Sequence, residues 1–292
     1  MPEIGNNIAQ ADINLVDETF DGSQSASYHL SIQTEPDRLT FCVFNTVINK
    51  CIVLRSYPFS AADVGMVVSS CRSVFENDEL LRLSYKSCCH LWVSPRYTFV
   101  PEHLFASDEA DEYLNFNHGA PADEQTLYHH SRVANLYHLF SCPEELTALL
   151  RMYHSQIRFL HHSNPFIESV NAGTSPTDKA DVAIYFHSGW LDIMVVRNAK
   201  MLFYNSFQIN APADSVYYLA GASNMFDLDL TSTKIMYAGN LKQMPPEIEI
   251  LKNYVGQMAE CEPNNALTYS HYITDPFRRS FINLINSYGC ES

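Results

Sequence analysis

Two stretches of this chain, Tyr28–Tyr57 and Val182–Phe207, spell the same pattern, and that repetition restricts the possible folds more than any other feature. Each reads as three short apolar strands with polar breaks between them. In the first, Tyr28–Gln33, Leu39–Asn45 and Cys51–Tyr57 are separated by Glu35-Pro36-Asp37-Arg38 and Val47-Ile48-Asn49-Lys50. In the second, Val182–Phe186, Leu191–Val196 and Met201–Phe207 are separated by His187-Ser188-Gly189 and Arg197-Asn198-Ala199-Lys200. A helix follows each meander, with Ser60 expected to cap the first and Asn210 the second. Leu39 to Leu191 is an offset of 152 residues and Asp63 to Asp214 one of 151, so strand, turn and helix start keep nearly constant spacing. The pattern predicts two copies of one domain.

Beyond the meanders, apolar residues at helical spacing predict a helix over Ala61–Phe75, and Cys142-Pro143-Glu144-Glu145 opens another that runs to His154. Ser87–Val93, Tyr97–Val100, Gln156–His161 and Lys234–Ala238 read as strands, and strand structure is expected within Leu127–Phe140. Ser107–Glu124, acidic and poor in aliphatics, reads as a surface excursion. Pro165–Val170 and Pro246–Met258 read as helices, and Pro276–Tyr288 as the closing helix. Strand-strand-strand-helix-strand-helix in each half predicts a mixed sheet covered by helices, an α/β architecture. Gly173–Lys179 has linker composition. The predicted division is an N-terminal extension over 1–27, a first lobe over 28–174 and a second over 175–292.

Charge and cysteine placement narrow the functional classes. The formal charge is −15 and Lys and Arg nowhere cluster, which argues against a nucleic-acid partner or an anionic membrane surface. No run approaches the ~18 apolar residues of a membrane span, so no direct membrane insertion is expected. The eight cysteines follow no C-x-x-C pattern and read as buried reduced thiols, so the expected location is the cytoplasm. His129-His130 and His161-His162 are adjacent pairs whose side chains point to opposite faces of a strand, so no metal site is expected from them. No Gly-x-Ser-x-Gly elbow occurs; Gly221-Ala222-Ser223-Asn224 follows a helix rather than a strand.

Two tandem meanders, each followed by helix-strand-helix, resemble the actin-like ATPase superfamily, with its ribonuclease H-like domains. In detail the chain is similar to a Bacteroidetes family of unknown function assigned that fold. It also resembles pilus-assembly and type II secretion platform proteins, most closely over Val100–Phe105. The resemblance spans about residues 28–288 and implies two tandem actin-like lobes with a ligand cleft between them. It would place Gln33, Thr34, Glu35 and Asp37 at one phosphate turn, His187, Ser188 and Gly189 at the other, and Gly239 and Asn240 at the adenosine loop. The family's Asp-x-Gly turn is not spelled at these positions. The first turn has no glycine and carries Pro36, which removes an N–H donor. The second has Tyr185 where an acid belongs. Ten glycines in the whole chain are few for a protein that cradles a triphosphate. The expected function is therefore a non-catalytic binding or scaffold protein with another protein as its partner and no cofactor. The alternative is an ATP-binding protein or ATPase with atypical phosphate loops, with Glu35 or Asp37 as the metal acid and Ser188 and Gly189 at phosphate.

Overall fold

The structure, a computed structural model, describes residues 10–119, 122–174, 178–239, 246–263 and 266–290. The chain divides into two compact units: residues 1–164 with 266–273 and 287–292, and residues 165–265 with 274–286. The division falls inside a helix upstream of Gly173–Lys179, of which residues 175–177 lie outside the described set.

The first unit begins with β1 (Ile13–Val16), then the meander β2 (Tyr28–Glu35), β3 (Arg38–Asn45) and β4 (Lys50–Pro58), then α1 (Val64–Asn77) and β5 (Ser87–Trp92). It continues with β6 (Tyr97–Pro101), α2 (Ala110–His118), β7 (Glu124–Ser131), β8 (Leu136–Pro143), α3 (Glu144–Tyr153) and β9 (Arg158–His161). β1, β4, β3, β2, β5 and β9 form one sheet in that order, antiparallel through the meander and parallel from β2 to β5 to β9. Residues of both faces of β2 and β3 are buried along nearly their whole length, as in a sheet covered on two sides. β6, β8 and β7 make a separate antiparallel sheet, and Val100, Leu139 and Ala110 of α2 form a small core upon it. The expected surface excursion thus holds a helix, closed by Gly119 at φ 69°. α1 is capped by Asp63, whose Oδ1 accepts from Met66 N at 2.8 Å, not by Ser60.

α4 (Ser163–Gly173) leads to the second unit: β10 (Ala180–His187), β11 (Trp190–Arg197), β12 (Lys200–Gln208), α5 (Asp214–Met225), β13 (Lys234–Gly239), α6 (Pro246–Leu251) and β14 (Gln257–Glu260). The sheet order is β12-β11-β10-β13-β14, again antiparallel through the meander and parallel beyond it. Val182, Ile184 and Phe186 of β10 with Leu191, Ile193 and Val195 of β11 pack under Leu219 and Ala222 of α5 and Ile248 and Leu251 of α6. The capping expected of Asn210 is reversed: Asp214 Oδ2 accepts from Asn210 N and Ala211 N. The helix expected over Pro246–Met258 stops at Leu251; a turn follows over 252–256, and β14 takes Gln257 and Met258. Gly256 marks the change, since a Cβ there would lie 1.9 Å from Thr231 O.

After β14 the chain returns to the first unit as β15 (Thr268–Tyr269), paired with the start of β4. It then forms α7 (Asp275–Ser280) and α8 (Ile282–Asn286) in place of one closing helix. Ser287 and Tyr288 belong to the first unit, where the Ser287 hydroxyl donates to Ser31 Oγ at 3.0 Å and the Tyr288 ring stacks on Phe44 at 4.6 Å. No helix among the described residues is long and apolar enough to cross a membrane.

Gly239 ends β13 at φ 139°, directly opposite Phe186 in the parallel pair, where an added Cβ would stand 2.4 Å from Phe186 O. Gly239→Ala should therefore cost at least about 2 kcal/mol from backbone strain alone, with the steric conflict added. Urea unfolding measures this, and a loss below about 0.5 kcal/mol, the size of an ordinary surface change, would contradict it.

Candidate functional site

The turn between β10 and β11 is closed by His187 and Trp190, with Ser188-Gly189 at its tip. Gly189 has φ 82°, the left-handed value that the third residue of a type II turn takes. The His187 ring lies flat on Trp190, centroids 3.6 Å apart and planes 3° apart. Its Nε2 donates to Asp192 Oδ2 at 2.9 Å. Tyr204 OH donates to the same oxygen at 2.7 Å, and Ser206 Oγ donates to Asp192 Oδ1. Asp192 is fully buried and stands opposite Tyr185 on β10 and Ser206 on β12. Strand alternation places this group on the face turned away from α5 and α6. Phe166 of α4 meets both tyrosines there, 5.3 Å from Tyr185 and 6.4 Å from Tyr204.

An acid is thus present beside this turn, but on β11 instead of β10, and both its oxygens are engaged by donors of the same unit. Residue-by-residue reading missed Asp192, Tyr204 and Ser206. The available signal was one acid in the apolar run Leu191–Val196, because a buried carboxylate in such a strand requires partners.

The β2–β3 turn in the first unit has a different chemistry. Glu35 and Arg38 close it, with Pro36-Asp37 at the tip. Gln33 Nε2 donates to Glu35 Oε1, while Gln33 Oε1 is buried without a hydrogen-bond partner. Burial, and then the neighbouring Asp37 charge, push the Glu35 carboxyl up to about 7; the Gln33 hydrogen bond, Arg38 and His162 pull the other way. Burial thus favours the protonated form of this carboxyl well above the usual carboxylate range. Arg38 Nη1 donates to Ser56 Oγ at 2.9 Å, and the Thr34 hydroxyl is 3.1 Å from His90 Nε2. Asp37 is exposed.

These residues do not fit the magnesium-triphosphate group of the actin-like fold. Both oxygens of Asp192 already accept from donors of its own unit, burial favours the protonated form of Glu35, and Pro36 offers no N–H to a phosphate. Gly239 is required by the close approach of β13 to β10, and Asn240, expected beside it, lies outside the described residues.

The other candidates vary in their partners, and the Nε2 of His129 is buried without a hydrogen-bond partner. His161 has both ring nitrogens near oxygen partners, Ser163 Oγ at 2.8 Å and Ser94 O at 2.7 Å. His129 is buried, whereas His130 stacks on Tyr137 at 4.6 Å. Asp17, Glu18 and His271 gather within 4.8 Å, but the Lys50 ammonium is already 2.8 Å from Asp17. Cys88 and Cys89 are buried as core, and burial pushes the Cys71, Cys88 and Cys261 thiols up to about 12, away from the reactive thiolate.

Comparison with solved structures defines the class. A Bacteroides thetaiotaomicron protein described as having an actin-like ATPase fold and unknown function aligns with a TM-score of 0.81 at 20% identity, over 94% of this chain and all of that one. The structure of the PilM-PilN type IV pilus biogenesis complex aligns with a TM-score of 0.59 at 10% identity, over 90% of this chain and 99% of that one. The fold is that of the actin-like ATPases. The model of a family described as "Protein of unknown function (DUF3822)" matches residues 17–258, and the chain belongs to that family. No curated protein matches it.

Proposed function

We propose that this chain is a binding or scaffold protein that uses an actin-like fold to engage another protein and does not turn over nucleotide. The observation that carries the reading is the engagement of Asp192: His187, Tyr204 and Ser206 donate to both oxygens of the acid beside the β10–β11 turn. A relative of the same fold was solved as a complex of two pilus-biogenesis proteins, which supports a protein partner here. We also infer that the two units arose by duplication, with copies over 28–174 and 175–292. Supporting this, the register shift in the first meander falls at Val43/Phe44 and that in the second at Val195/Val196, again 152 residues apart.

Thermal unfolding with and without ATP and magnesium tests the functional reading. The expected result is no magnesium-dependent rise in Tm and phosphate release at background. A magnesium-dependent rise of several degrees that vanishes in Asp37→Ala would establish a nucleotide site and overturn the scaffold reading.

A further inference from the structure

The first unit contains a polar cavity of about 200 Å³ between α2 and the β6-β8-β7 sheet, lined by Arg96, Asp111, Leu114, Asn115, Glu124, Thr126 and Ser141. Its parts follow from the secondary structure. Asp111 and Asn115 are four apart on α2 and so share one face. Glu124 and Thr126 are two apart on β7, and Thr126 is the register partner of Ser141 on β8.

Arg96 holds one end of the cavity and is fixed at each nitrogen. Nε donates to Glu124 Oε2 at 3.2 Å and Ser141 Oγ at 3.0 Å. Nη1 donates to His118 O at 2.9 Å and Nη2 to Gly119 O at 3.1 Å, at the carbonyl end of α2. The guanidinium is therefore a structural strut. Counting Arg96 against Asp111 and Glu124 leaves the lining with one net negative charge. The other polar groups of the lining all offer an acceptor: the Asp111 carboxylate, the carbonyl oxygen of the Asn115 amide and the Thr126 hydroxyl oxygen. Leu114 backs them from beneath and is itself buried.

We propose that this cavity binds the ammonium of a lysine side chain presented by a partner protein. Three rotatable N–H donors among separately placed acceptors match the lining, whereas a planar guanidinium seeks a paired fork. The overall charge of −15 favours the approach of a basic partner. A protein is favoured over a free amine because Phe116, next to Asn115 on α2, is 90% exposed and offers a partner apolar area to cover. The inference rests on the protein-binding reading only for the source of the ammonium.

The test is an amide NMR titration of the full chain with N-acetyl-lysine-N-methylamide, its norleucine counterpart and spermidine. The lysine probe should give saturable shifts at Asn115, Thr126 and Ser141 with a Kd of about 1–10 mM, while norleucine gives none. Asp111→Asn, a surface change that preserves the rest of the spectrum, should weaken binding about fivefold. Equal shifts with norleucine, no saturable shift at these amides, or an unchanged Kd in Asp111→Asn would each overturn the site. Spermidine binding tenfold tighter than the lysine probe would overturn the assignment to a protein side chain. If the lysine probe binds while nucleotide titration reveals a magnesium site, the cavity stands and the scaffold reading falls.

Discussion

Replacing Asp192 with alanine should cost roughly 3–5 kcal/mol, the penalty for breaking a buried charged hydrogen-bond group. His187 Nε2, Tyr204 OH and Ser206 Oγ would each lose an acceptor, and β11 would lose the group that ties β10 and β12 together on that face. Asp192→Asn keeps the shape but turns one acceptor into a donor facing donors, so most of the loss should remain. Tyr204→Phe removes only one donor and should cost about 1.5–3 kcal/mol. The measurement is urea unfolding followed by Trp190 fluorescence in a Trp92→Phe background, since the chain has two tryptophans, one in each unit. A loss below about 1 kcal/mol for Asp192→Ala would show that the carboxylate is held for a ligand and not for the fold.

Acidification should unfold the first unit before the second. Burial pushes His29 and His90 down to about 3, and His129 to about 4; His138 and His154 are also lowered. Arg158 adds to the effect at His29 and His129, while His129 and His162 add to it at His138. Between the folded values and the unfolded value of about 6.5, the unfolded chain binds protons that the native chain refuses. Stability conferred by these neutral histidines is therefore complete above about 6.5 and is lost as pH falls toward 3–4. Each such group contributes about 1.4 kcal/mol per pH unit at most. Glu35, raised to about 7, acts in the opposite sense: its contribution is present at low pH and is lost as pH rises from about 4.5 through 7. Five histidines outweigh one carboxyl, and a stability of 5–15 kcal/mol would be consumed within roughly three pH units. Trp92 fluorescence should report loss of structure near pH 4–5, ahead of Trp190. Stability that is flat from pH 7 to 4 would refute this account.

Much of the fold was legible in the sequence because the meander strands are apolar runs interrupted by turn residues, a local signal. The helices at α1 and α3 were legible for the same reason, through the spacing of Val67, Val68, Cys71, Val74 and Phe75 and through Pro143 with its following acids. Helix caps were misplaced because Ser60 and Asp63 are both competent caps, and only the path of the backbone selects between them. β14 was hidden inside an apparent helix because Ile248, Leu251 and Val255 keep helical spacing right up to Gly256, whose need to be glycine arises from the distant Thr231 carbonyl. Glu35 and His187 lie at strand ends, as the apolar runs implied, yet the buried polar cluster beside the second turn is made by Asp192, Tyr204 and Ser206. Those three come together only when β10, β11 and β12 pair in register.

The return of β15, Ser287 and Tyr288 to the first unit has a consequence for synthesis on the ribosome. The Ser287–Ser31 hydrogen bond joins residues 256 positions apart, and the Thr268–Asn49 bond residues 219 apart. At ordinary elongation rates those partners emerge tens of seconds after β2 to β4. Through that interval the edge of β4 at Lys50 and Cys51 lacks its parallel neighbour, and the ring of Phe44 lacks its stacking partner. The first unit to be translated is therefore the last to be completed. In the nascent chain the strand edge at Lys50 and Cys51 stays unpaired until Thr268 and Tyr269 have emerged.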